Sequence, residues 1–327
     1  MITVKLSHPP WPILRQTPGQ KGFWGNCRFF CNTDVERCDY WFVLEGLDKK
    51  KDHAVCPKEH TVLITCEPPT LKTYKSEYLH QFAAVITCHP NIDHPRPIFQ
   101  QQGLPWHVGR RQQDHVNVEF SKDYDELKAM SSIPKTKILS VISSSKTMSE
   151  GHRKRLDFAK WLKIHFGDQV DLFGRDLNEI EDKWDALADY QYHVALENSA
   201  VNDYWTEKLS DAFLAACHPI YYGCPNINRY FDPASLTPID LDHPEKAMAV
   251  IESCIEQKRY ESSEQKIWEA REKVLDTHNV FALIADYIEN DQRSEGDRPC
   301  RPVKITIRKE PSDSNLIYRF RKKLLRL

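Results

Sequence analysis

The chain has 327 residues, of which 40% are hydrophobic and 28% are charged. This composition is that of an ordinary soluble globular protein and excludes collagen-like, coiled-coil and broadly disordered chains. The length corresponds to about two domains. Lys and Arg total 45 against 47 Asp and Glu, a formal charge of −2. Without an overall basic field, we expect no nucleic-acid partner and only local anion-binding sites.

The first twenty residues contain Pro9, Pro10, Pro12 and Pro18 and no long apolar run. The sequence therefore predicts no signal peptide, and no apolar run elsewhere is long enough to span a bilayer. The ten cysteines form no CxxC pair. We expect a reducing, cytoplasmic compartment in which the cysteines are small buried hydrophobic side chains.

Short β-branched and aromatic runs alternate with longer amphipathic stretches, a pattern typical of parallel strands joined by crossover helices. In the first half, strands are predicted at 40–47, 61–65 and 82–87. Pro68-Pro69 and Pro90 follow the second and third of these strands and favour turns. The fold class is therefore α/β.

The second half repeats this alternation more clearly. Strands are predicted at 137–142, 170–173, 192–196 and 219–222, and helices at 151–166 and 207–217. Because this series would form its own sheet, we place a domain boundary near residue 134, which gives domains over 1–134 and 135–290. Open sheets bind ligands at the carboxyl ends of their strands, so a cleft between two such domains is the expected site.

From residue 291 the character changes, with Pro299, Pro302 and Pro311 among polar residues. Residues 317–327 place apolar side chains at helical spacing, with five Arg and Lys side chains between them. This pattern predicts a basic amphipathic tail over 291–327 that contacts an anionic membrane surface. Docking on the protein's own surface is the alternative.

The most informative segment joins a predicted strand to a predicted helix. The strand ends at Glu197 and Asn198, and Thr206 is a suitable N-cap for a helix that opens with Glu207 and Lys208. A helix N-terminus attracts phosphate, and Lys208 adds a full positive charge. A carboxylate in the first turn also has a purely structural explanation, since it interacts favourably with the helix dipole.

One segment of the sequence resembles the α-1,3-fucosyltransferases of glycosyltransferase family 10. It consists of ALENS at 195–199 followed by DYWTEKLSDAFLAACHPIYYG at 203–223. The resemblance is tight over 190–233, recognisable from about 137 and weak before that. It implies a GT-B fold, with two facing Rossmann-like domains and the active site in the cleft between them. The first domain, 1–134, would bind the acceptor. The second, 135–290, would bind a GDP-sugar.

The resemblance assigns donor-binding positions. Asn198, Tyr204, Glu207 and Lys208 occupy the places that contact the pyrophosphate, ribose or sugar of the donor in this family. Lys208 would balance the charge of departing GDP. Glu207 would bind hydroxyl groups of the donor or, as a catalytic residue, stabilise a cationic sugar centre, and both roles stay open.

A further position of the family is an Arg followed three residues later by an aromatic side chain. Arg155 and Phe158 have this spacing, with Arg153 as the alternative. The planar guanidinium group is suited to phosphate because it holds two oxygens at once. The polar run 143–146 lies at the matching strand end, where it would donate hydrogen bonds to phosphate or form a plain loop.

The first domain is expected to supply the catalytic base, since inverting transfer needs a carboxylate that removes the proton of the acceptor hydroxyl. Glu67 ends the strand at 61–65 in a Thr-Cys-Glu-Pro-Pro segment that resembles the acidic strand end of the family. Glu45, at the end of another strand, is the second candidate.

No metal and no cofactor is expected, although stimulation by Mn²⁺ stays open. Asp240 and Asp242 imitate a metal-binding DxD pair, but a loop after a strand explains them. His89, His94 and His107 show no metal-ligand pattern and are expected in acceptor loops or at the surface. Trp205 is either a stacking face for a sugar or a core residue.

Together these features imply an inverting enzyme that moves L-fucose from GDP-β-L-fucose to a hydroxyl group of an oligosaccharide or glycolipid. The acceptor would contain N-acetylglucosamine or glucose, and the new linkage would be α-1,3. The chain looks like bacterial members of the family that act at the cytoplasmic face of the membrane. The alternatives are the same scaffold with another GDP- or UDP-sugar, and a non-catalytic protein that binds nucleotide or glycan.

Overall fold

The computed structural model describes residues 1–112, 118–143, 150–174, 177–295 and 301–311. Contacts divide the chain into two units. Unit 1 contains residues 1–103 together with the described residues from 279 onward, and unit 2 contains residues 104–278.

The strands of the described residues are numbered in chain order: β1 (Ile2–Ser7), β2 (Phe23–Trp24), β3 (Cys27–Cys31), β4 (Tyr40–Leu44), β5 (Lys51–Pro57), β6 (Thr61–Ile64), β7 (Ala84–Thr87), β8 (Pro97–Phe99), β9 (Arg110–Gln112), β10 (Val118–Phe120), β11 (Lys137–Ile142), β12 (Val170–Phe173), β13 (Tyr190–Leu196), β14 (His218–Tyr222), β15 (Thr237–Pro238) and β16 (Pro302–Arg308). The helices are α1 (Ser76–Leu79), α2 (Tyr124–Ala129), α3 (Glu150–Phe166), α4 (Glu207–Leu214), α5 (Pro244–Glu256), α6 (Arg259–Asp276) and α7 (Val280–Glu295).

Unit 1 is built on a seven-stranded sheet in the order β2-β3-β1-β4-β6-β7-β8. All neighbouring strands are parallel except β2 and β3. The central strands β4, β6 and β7 are buried along their whole length, as expected for a parallel sheet covered on both faces. Helix α7 packs on this sheet, with Phe281 against Phe29 and Tyr287 against Phe42.

The last described strand also belongs to unit 1. β16 pairs with β5 in antiparallel register, from Pro302 opposite Pro57 to Arg308 opposite Lys51. Ile307 is fully buried in the apolar cluster beneath this pair.

Unit 2 contains a five-stranded parallel sheet in the order β12-β11-β13-β14-β15. One face packs on α4 and part of α6, and the other on α3 and α5. The chain runs from β11 outward to β12 and then returns to β13 on the other side of β11. In an open α/β sheet, such a reversal of strand order opens a crevice at the carboxyl ends of the two strands. The ends of β11 and β13 therefore mark the expected ligand site of unit 2.

These sheets confirm the predicted α/β class, because each unit is built on a largely parallel, Rossmann-like sheet. The strands expected at 137–142 and 170–173 have those bounds in the structure. Helix α4 ends at Leu214, earlier than the predicted residue 217, because Ala216 takes a left-handed conformation with φ 53°.

The division of the chain differs from the predicted boundaries at 134 and 290. Residues 104–134 belong to unit 2, since Trp106, Val108 and Leu127 are buried in the core around α4. Residues 279–295 and 302–308 belong to unit 1, as helix α7 and strand β16. The predicted tail from 291 therefore contains the end of α7, as far as Glu295, and the strand β16. The amphipathic segment at 317–327 lies outside the described residues.

None of the helices in the described part of the chain combines the length and apolar character that a bilayer span needs.

Candidate functional site

The carboxyl end of β13 is tied to the amino end of α4 by Glu197. This residue has no exposed surface, and its carboxylate accepts hydrogen bonds from the Thr206 backbone N–H at 2.8 Å and from Thr206 Oγ1 at 2.9 Å. Gly223 leaves room for it, because a Cβ there would lie 2.5 Å from Glu197 Cγ. The strand end and the helix start are therefore held together by a buried carboxylate that sequence reasoning had only placed at the strand edge.

Lys208 is part of the same arrangement. Its Nζ lies 3.0 Å from Thr206 Oγ1, 3.4 Å from Glu197 Oε2 and 3.2 Å from Glu207 Oε1. Burial lowers the pKa of Lys208, but the two carboxylates outweigh it and raise that pKa above its ordinary value. A permanent positive charge therefore stands in the first turn of α4, where the helix dipole is also positive.

Glu207 is anionic, and one of its carboxylate oxygens lies near three basic side chains. Its Oε1 lies 3.2 Å from Lys208 Nζ, 3.6 Å from Lys183 Nζ and 4.0 Å from His107 Nδ1. Burial raises the pKa of Glu207, yet these neighbouring groups hold it well below its ordinary value. Every ion pair that the described residues make with Glu207 uses Oε1.

Arg155 reaches this site from α3. Its side chain is buried, with 7% of the residue exposed, and Nη1 donates a hydrogen bond to Asn198 Oδ1. Within the described residues, Nε is buried without a hydrogen-bond partner. Burial lowers the pKa of the guanidinium group, while the nearby Glu197 and Glu207 carboxylates raise it. Arg153, the alternative, is exposed on α3.

The helix that carries Arg155 approaches the end of β13 closely. A Cβ at Gly151 would lie 2.3 Å from the backbone oxygen of Asn198, so only glycine fits in this turn of α3. The contact between Arg155, on the helix after β11, and Asn198, at the end of β13, thus lies where the strand order reverses. This is the crevice in which open α/β sheets bind ligands.

The loop between β13 and α4 is anchored by Asp203, which has φ 62°. Its carboxylate accepts hydrogen bonds from Asn226 Nδ2, Arg229 Nη1 and Tyr230 Oη. The next residue, Tyr204, is buried close enough to Arg155 to interact with it electrostatically.

Trp205 packs against the rings of Tyr230, Phe231 and His278 and is 4% exposed. Of the two roles that the sequence left open for Trp205, the structure therefore gives the core role.

A second layer of residues supports Glu207 and was missed by sequence reasoning. The buried Asp211 accepts hydrogen bonds from the backbone N–H groups of His107 at 2.8 Å and Val108 at 3.1 Å, and pairs with Lys183 at 3.1 Å. Burial raises the pKa of Asp211. This layer brings His107 and Lys183 to the first turn of α4. Neither residue had a local signal, because its partners lie far away in the sequence.

The two candidate bases lie in unit 1, at the ends of neighbouring strands. Glu67 follows β6 and is half-buried. Glu45 follows β4, and both of its oxygens are engaged: Oε1 with Lys72 at 2.8 Å, and Oε2 with Tyr74 Oη at 2.6 Å and the Cys66 backbone N–H at 2.8 Å. Burial raises the pKa of Glu45, but these partners hold it below its ordinary value. Glu45 is therefore a poor proton acceptor.

The DxD pair has its own contacts. Asp242 pairs with Lys154 at 2.7 Å, and Asp240 accepts a hydrogen bond from the Asp242 backbone. In the part of the chain that the structure describes, no group of three or more His, Cys, Asp or Glu side chains is arranged to hold a metal ion. Of the polar run at 143–146, Ser143 is buried, and residues 144–146 lie outside the described residues.

Unit 2 thus brings together Arg155, Asn198, Tyr204, Glu207 and Lys208, which we call the donor cluster after the role that the sequence resemblance predicts for them. The sequence model of the family "Glycosyltransferase family 10 (fucosyltransferase) C-term" matches residues 133–281, a range that contains the whole donor cluster.

Two curated proteins match shorter stretches. GDP-fucose protein O-fucosyltransferase 3 of Danio rerio is 28% identical over 125 residues, which are 38% of this chain and 26% of that protein. Alpha-(1,3)-fucosyltransferase FucT of Helicobacter pylori is 34% identical over 56 residues, which are 17% of this chain and 12% of that protein. The chain therefore matches only a minor part of the length of either relative.

Among solved structures, an α1,3-fucosyltransferase with GDP-fucose aligns over 92% of both chains at 16% identity, with a TM-score of 0.49. TarM aligns over 72% of this chain and 55% of its own at 10% identity, with a TM-score of 0.40. The family match agrees with the resemblance found in the sequence over residues 133–281. Residues 133–281 are therefore similar to the carboxyl-terminal domain of the family 10 glycosyltransferases, the fucosyltransferase family.

Proposed function

We propose that the protein transfers L-fucose from GDP-β-L-fucose to a hydroxyl group of a glycan that contains N-acetylglucosamine or glucose, forming an α-1,3 linkage with inversion. The observation that carries this proposal is the donor cluster, in which the buried Arg155, the partly buried Lys208 and a helix N-terminus meet where the strand order reverses. The family 10 match and the two curated fucosyltransferases support fucose as the sugar.

The donor cluster is suited to a diphosphate because its positive charge is fixed before the ligand arrives. Lys208 and Arg155 are both held in place by protein contacts, through Glu197 and Asn198 respectively. A preorganised site of this kind stabilises charge that develops on a leaving group without the cost of reorganising water. As the bond from fucose C1 to the phosphate oxygen breaks, that oxygen takes the electron pair and faces these cations.

Glu207 is proposed to contact the sugar or the ribose through Oε2. Because three basic groups surround Oε1, the carboxylate keeps its charge and its orientation. Either a donor hydroxyl binds to Oε2, or the carboxylate stabilises the positive charge that develops on the fucose ring. Both roles require an anionic Glu207.

Glu67 is proposed as the base. The acceptor oxygen attacks fucose C1 from the face opposite GDP, its proton passes to the Glu67 carboxylate, and GDP departs. Glu45 fits this role less well because Lys72, Tyr74 and the Cys66 N–H already occupy both of its oxygens.

We propose that donor binding needs no metal ion, because Arg155 and Lys208 supply the positive charge that a divalent cation would otherwise bring to the pyrophosphate. We also propose that residues 317–327 hold the protein at the cytoplasmic surface of a membrane. This second proposal is supported by their sequence pattern alone.

The first test is calorimetric titration with GDP-fucose, GDP-mannose, UDP-galactose and UDP-N-acetylglucosamine. We expect selective binding of GDP-fucose, unchanged in EDTA and weakened at least about tenfold in Lys208→Ala, since a charge-assisted contact to phosphate is lost. Lys266→Ala is the matched control, because Lys266 pairs with Asp232 and Glu269 away from the donor cluster.

Three results would count against the proposal. Preferred binding of a UDP-sugar or GDP-mannose would favour the same scaffold with another donor. Loss of affinity in EDTA that Mn²⁺ restores would show a metal requirement. Donor binding without GDP release in the presence of any N-acetylglucosamine- or glucose-containing acceptor would favour a non-catalytic binding protein.

A further inference from the structure

Three side chains of unit 1 converge on the backbone of Cys66 and Glu67, at the end of β6. We propose that Glu45, Tyr74 and His89, here called the Glu67 clamp, are positioning residues that orient the catalytic base. This inference rests on the proposed function, in which Glu67 takes the proton of the acceptor hydroxyl. It gives Glu45, a candidate base, a different role.

The first half of the clamp holds the backbone N–H groups. The Cys66 N–H donates to Glu45 Oε2 at 2.8 Å, and Tyr74 Oη lies 3.2 Å from Cys66 N and 3.4 Å from Glu67 N. Tyr74 itself donates to Glu45 Oε2 at 2.6 Å. Burial and the neighbouring Glu45 carboxylate raise the pKa of Tyr74 well above its ordinary value, so the hydroxyl keeps the proton that it donates.

The second half holds the Glu67 carbonyl group. His89 Nε2 lies 2.7 Å from the Glu67 backbone oxygen, and since a carbonyl only accepts, Nε2 carries the proton. Burial lowers the pKa of His89 to about 4, so the ring is neutral near pH 7 and uses its single N–H for this bond. The His89 ring also packs edge to face on Tyr74, with centroids 5.1 Å apart. The two halves of the clamp therefore support each other.

Lys72 and Glu310 support the Glu67 clamp through further contacts. Lys72 bridges Glu45 Oε1 and Glu310 Oε2, each at 2.8 Å, and Glu310 Oε1 accepts the Lys75 backbone N–H at 2.9 Å. Glu310 follows β16, so this strand supports the loop after Glu67. These contacts use every oxygen of two partly buried carboxylates to hold one loop.

The backbone of Glu45 points to the same conclusion. It has φ 64°, a left-handed conformation that is unfavourable for a residue with a side chain. Such conformations persist where the surrounding structure requires them and cluster at functional sites. Here the turn places the Glu45 carboxylate beneath residue 66. A base fixed in this way loses little conformational freedom when the acceptor binds.

The decisive variant is Tyr74→Phe, which removes one hydroxyl group and changes little volume. We expect kcat for GDP release to fall about tenfold, with the KM for GDP-fucose unchanged because donor contacts lie in unit 2. We also expect faster amide hydrogen exchange at residues 66–67 in the free protein. Tyr40→Phe is the control: it removes a buried hydroxyl of the same unit, bonded to Asp291 at 3.2 Å, and should alter neither quantity.

A second pair of variants tests the carbonyl side. His89→Phe removes the N–H donor and should lower kcat, whereas His89→Gln places an amide N–H near the position of Nε2 and should restore most of it. Wild-type exchange and kcat in Tyr74→Phe, or no rescue by His89→Gln, would overturn the clamp. A wild-type protein without fucosyl transfer would instead refute the proposed function. The exchange measurement still decides whether the clamp exists, because it needs no turnover.

Discussion

At the scale of single residues, the candidate site depends on how each charged side chain is surrounded. Glu207 and Glu45 are both partly buried carboxylates whose pKa stays low because cations or hydrogen-bond donors face them. The ion pairs of Glu207 with described residues all use Oε1, whereas both oxygens of Glu45 bind the protein's own groups. The two glutamates are therefore expected to have different roles, because their contacts differ.

Lys183 provides a test at this scale. In Lys183→Met the Oε1 of Glu207 loses one of its three basic neighbours, so the pKa of Glu207 rises and the carboxylate is less firmly held. We expect kcat/KM for GDP-fucose to fall about tenfold, which corresponds to about 1.4 kcal/mol. Steady-state kinetics of GDP release measures this change.

Lys266→Met is the matched control for that variant. It removes a lysine of the same unit that also lies near two carboxylates, Asp232 and Glu269, without contact to Glu207. Equal kinetic effects in the two variants would show that Lys183 has no special role at the donor cluster.

At the scale of secondary-structure elements, the site is a junction between β13 and α4. The local pattern predicted both elements, since the N-cap Thr206 and the apolar positions of α4 lie within a few residues of each other. Sequence alone did not predict that Glu197 bonds to Thr206, nor that Gly151 brings α3 against Asn198. These contacts depend on the packing of elements and not on local preference.

Glu197→Gln tests this junction. The substitution keeps the shape of the side chain but removes the charge that faces Lys208, and breaking such a pair is destabilising when one partner is fully buried. For a loss of about 2 kcal/mol we expect the Tm to fall by roughly 4–8 °C, with weaker binding of GDP-fucose. Scanning calorimetry measures the Tm, and titration calorimetry measures the affinity for GDP-fucose.

The exposed Glu252, paired with His165 at 2.6 Å in the same unit, supplies the control. Glu252→Gln should leave the Tm within about a degree, because exposed ion pairs contribute little to stability. A wild-type Tm and wild-type donor affinity in Glu197→Gln would refute the structural role of the junction.

At the scale of the whole molecule, the chain crosses between its units twice. It leaves unit 1 after residue 103 and returns at residue 279, so α7 and β16 complete the unit in which the chain began. The sequence predicted a single crossing near residue 134. Apolar periodicity in α7 predicts a buried face but carries no information about which sheet covers it.

The segment at 317–327 gives a prediction at this scale. If it binds an anionic surface, the full-length protein should sediment with vesicles that contain phosphatidylserine and remain in solution with neutral phosphatidylcholine vesicles. Replacing its five Arg and Lys residues by Gln should abolish sedimentation and leave GDP-fucose binding unchanged. Equal sedimentation of the variant and the wild type would contradict a membrane role.

The sequence by itself determined the α/β class and the order of the main strands, and it carried the resemblance to family 10 from which the donor cluster was predicted. These features are local: the residues from 195 to 223 form a strand end, a loop and a helix start whose spacing carries the signal. The tertiary structure decided that Arg155 and not Arg153 is buried beside Asn198, and that both oxygens of Glu45 are engaged. It also brought Lys183 and His107 to Glu207. Such contacts join residues far apart in the chain, and the packing of whole elements, which no local pattern encodes, sets their distances.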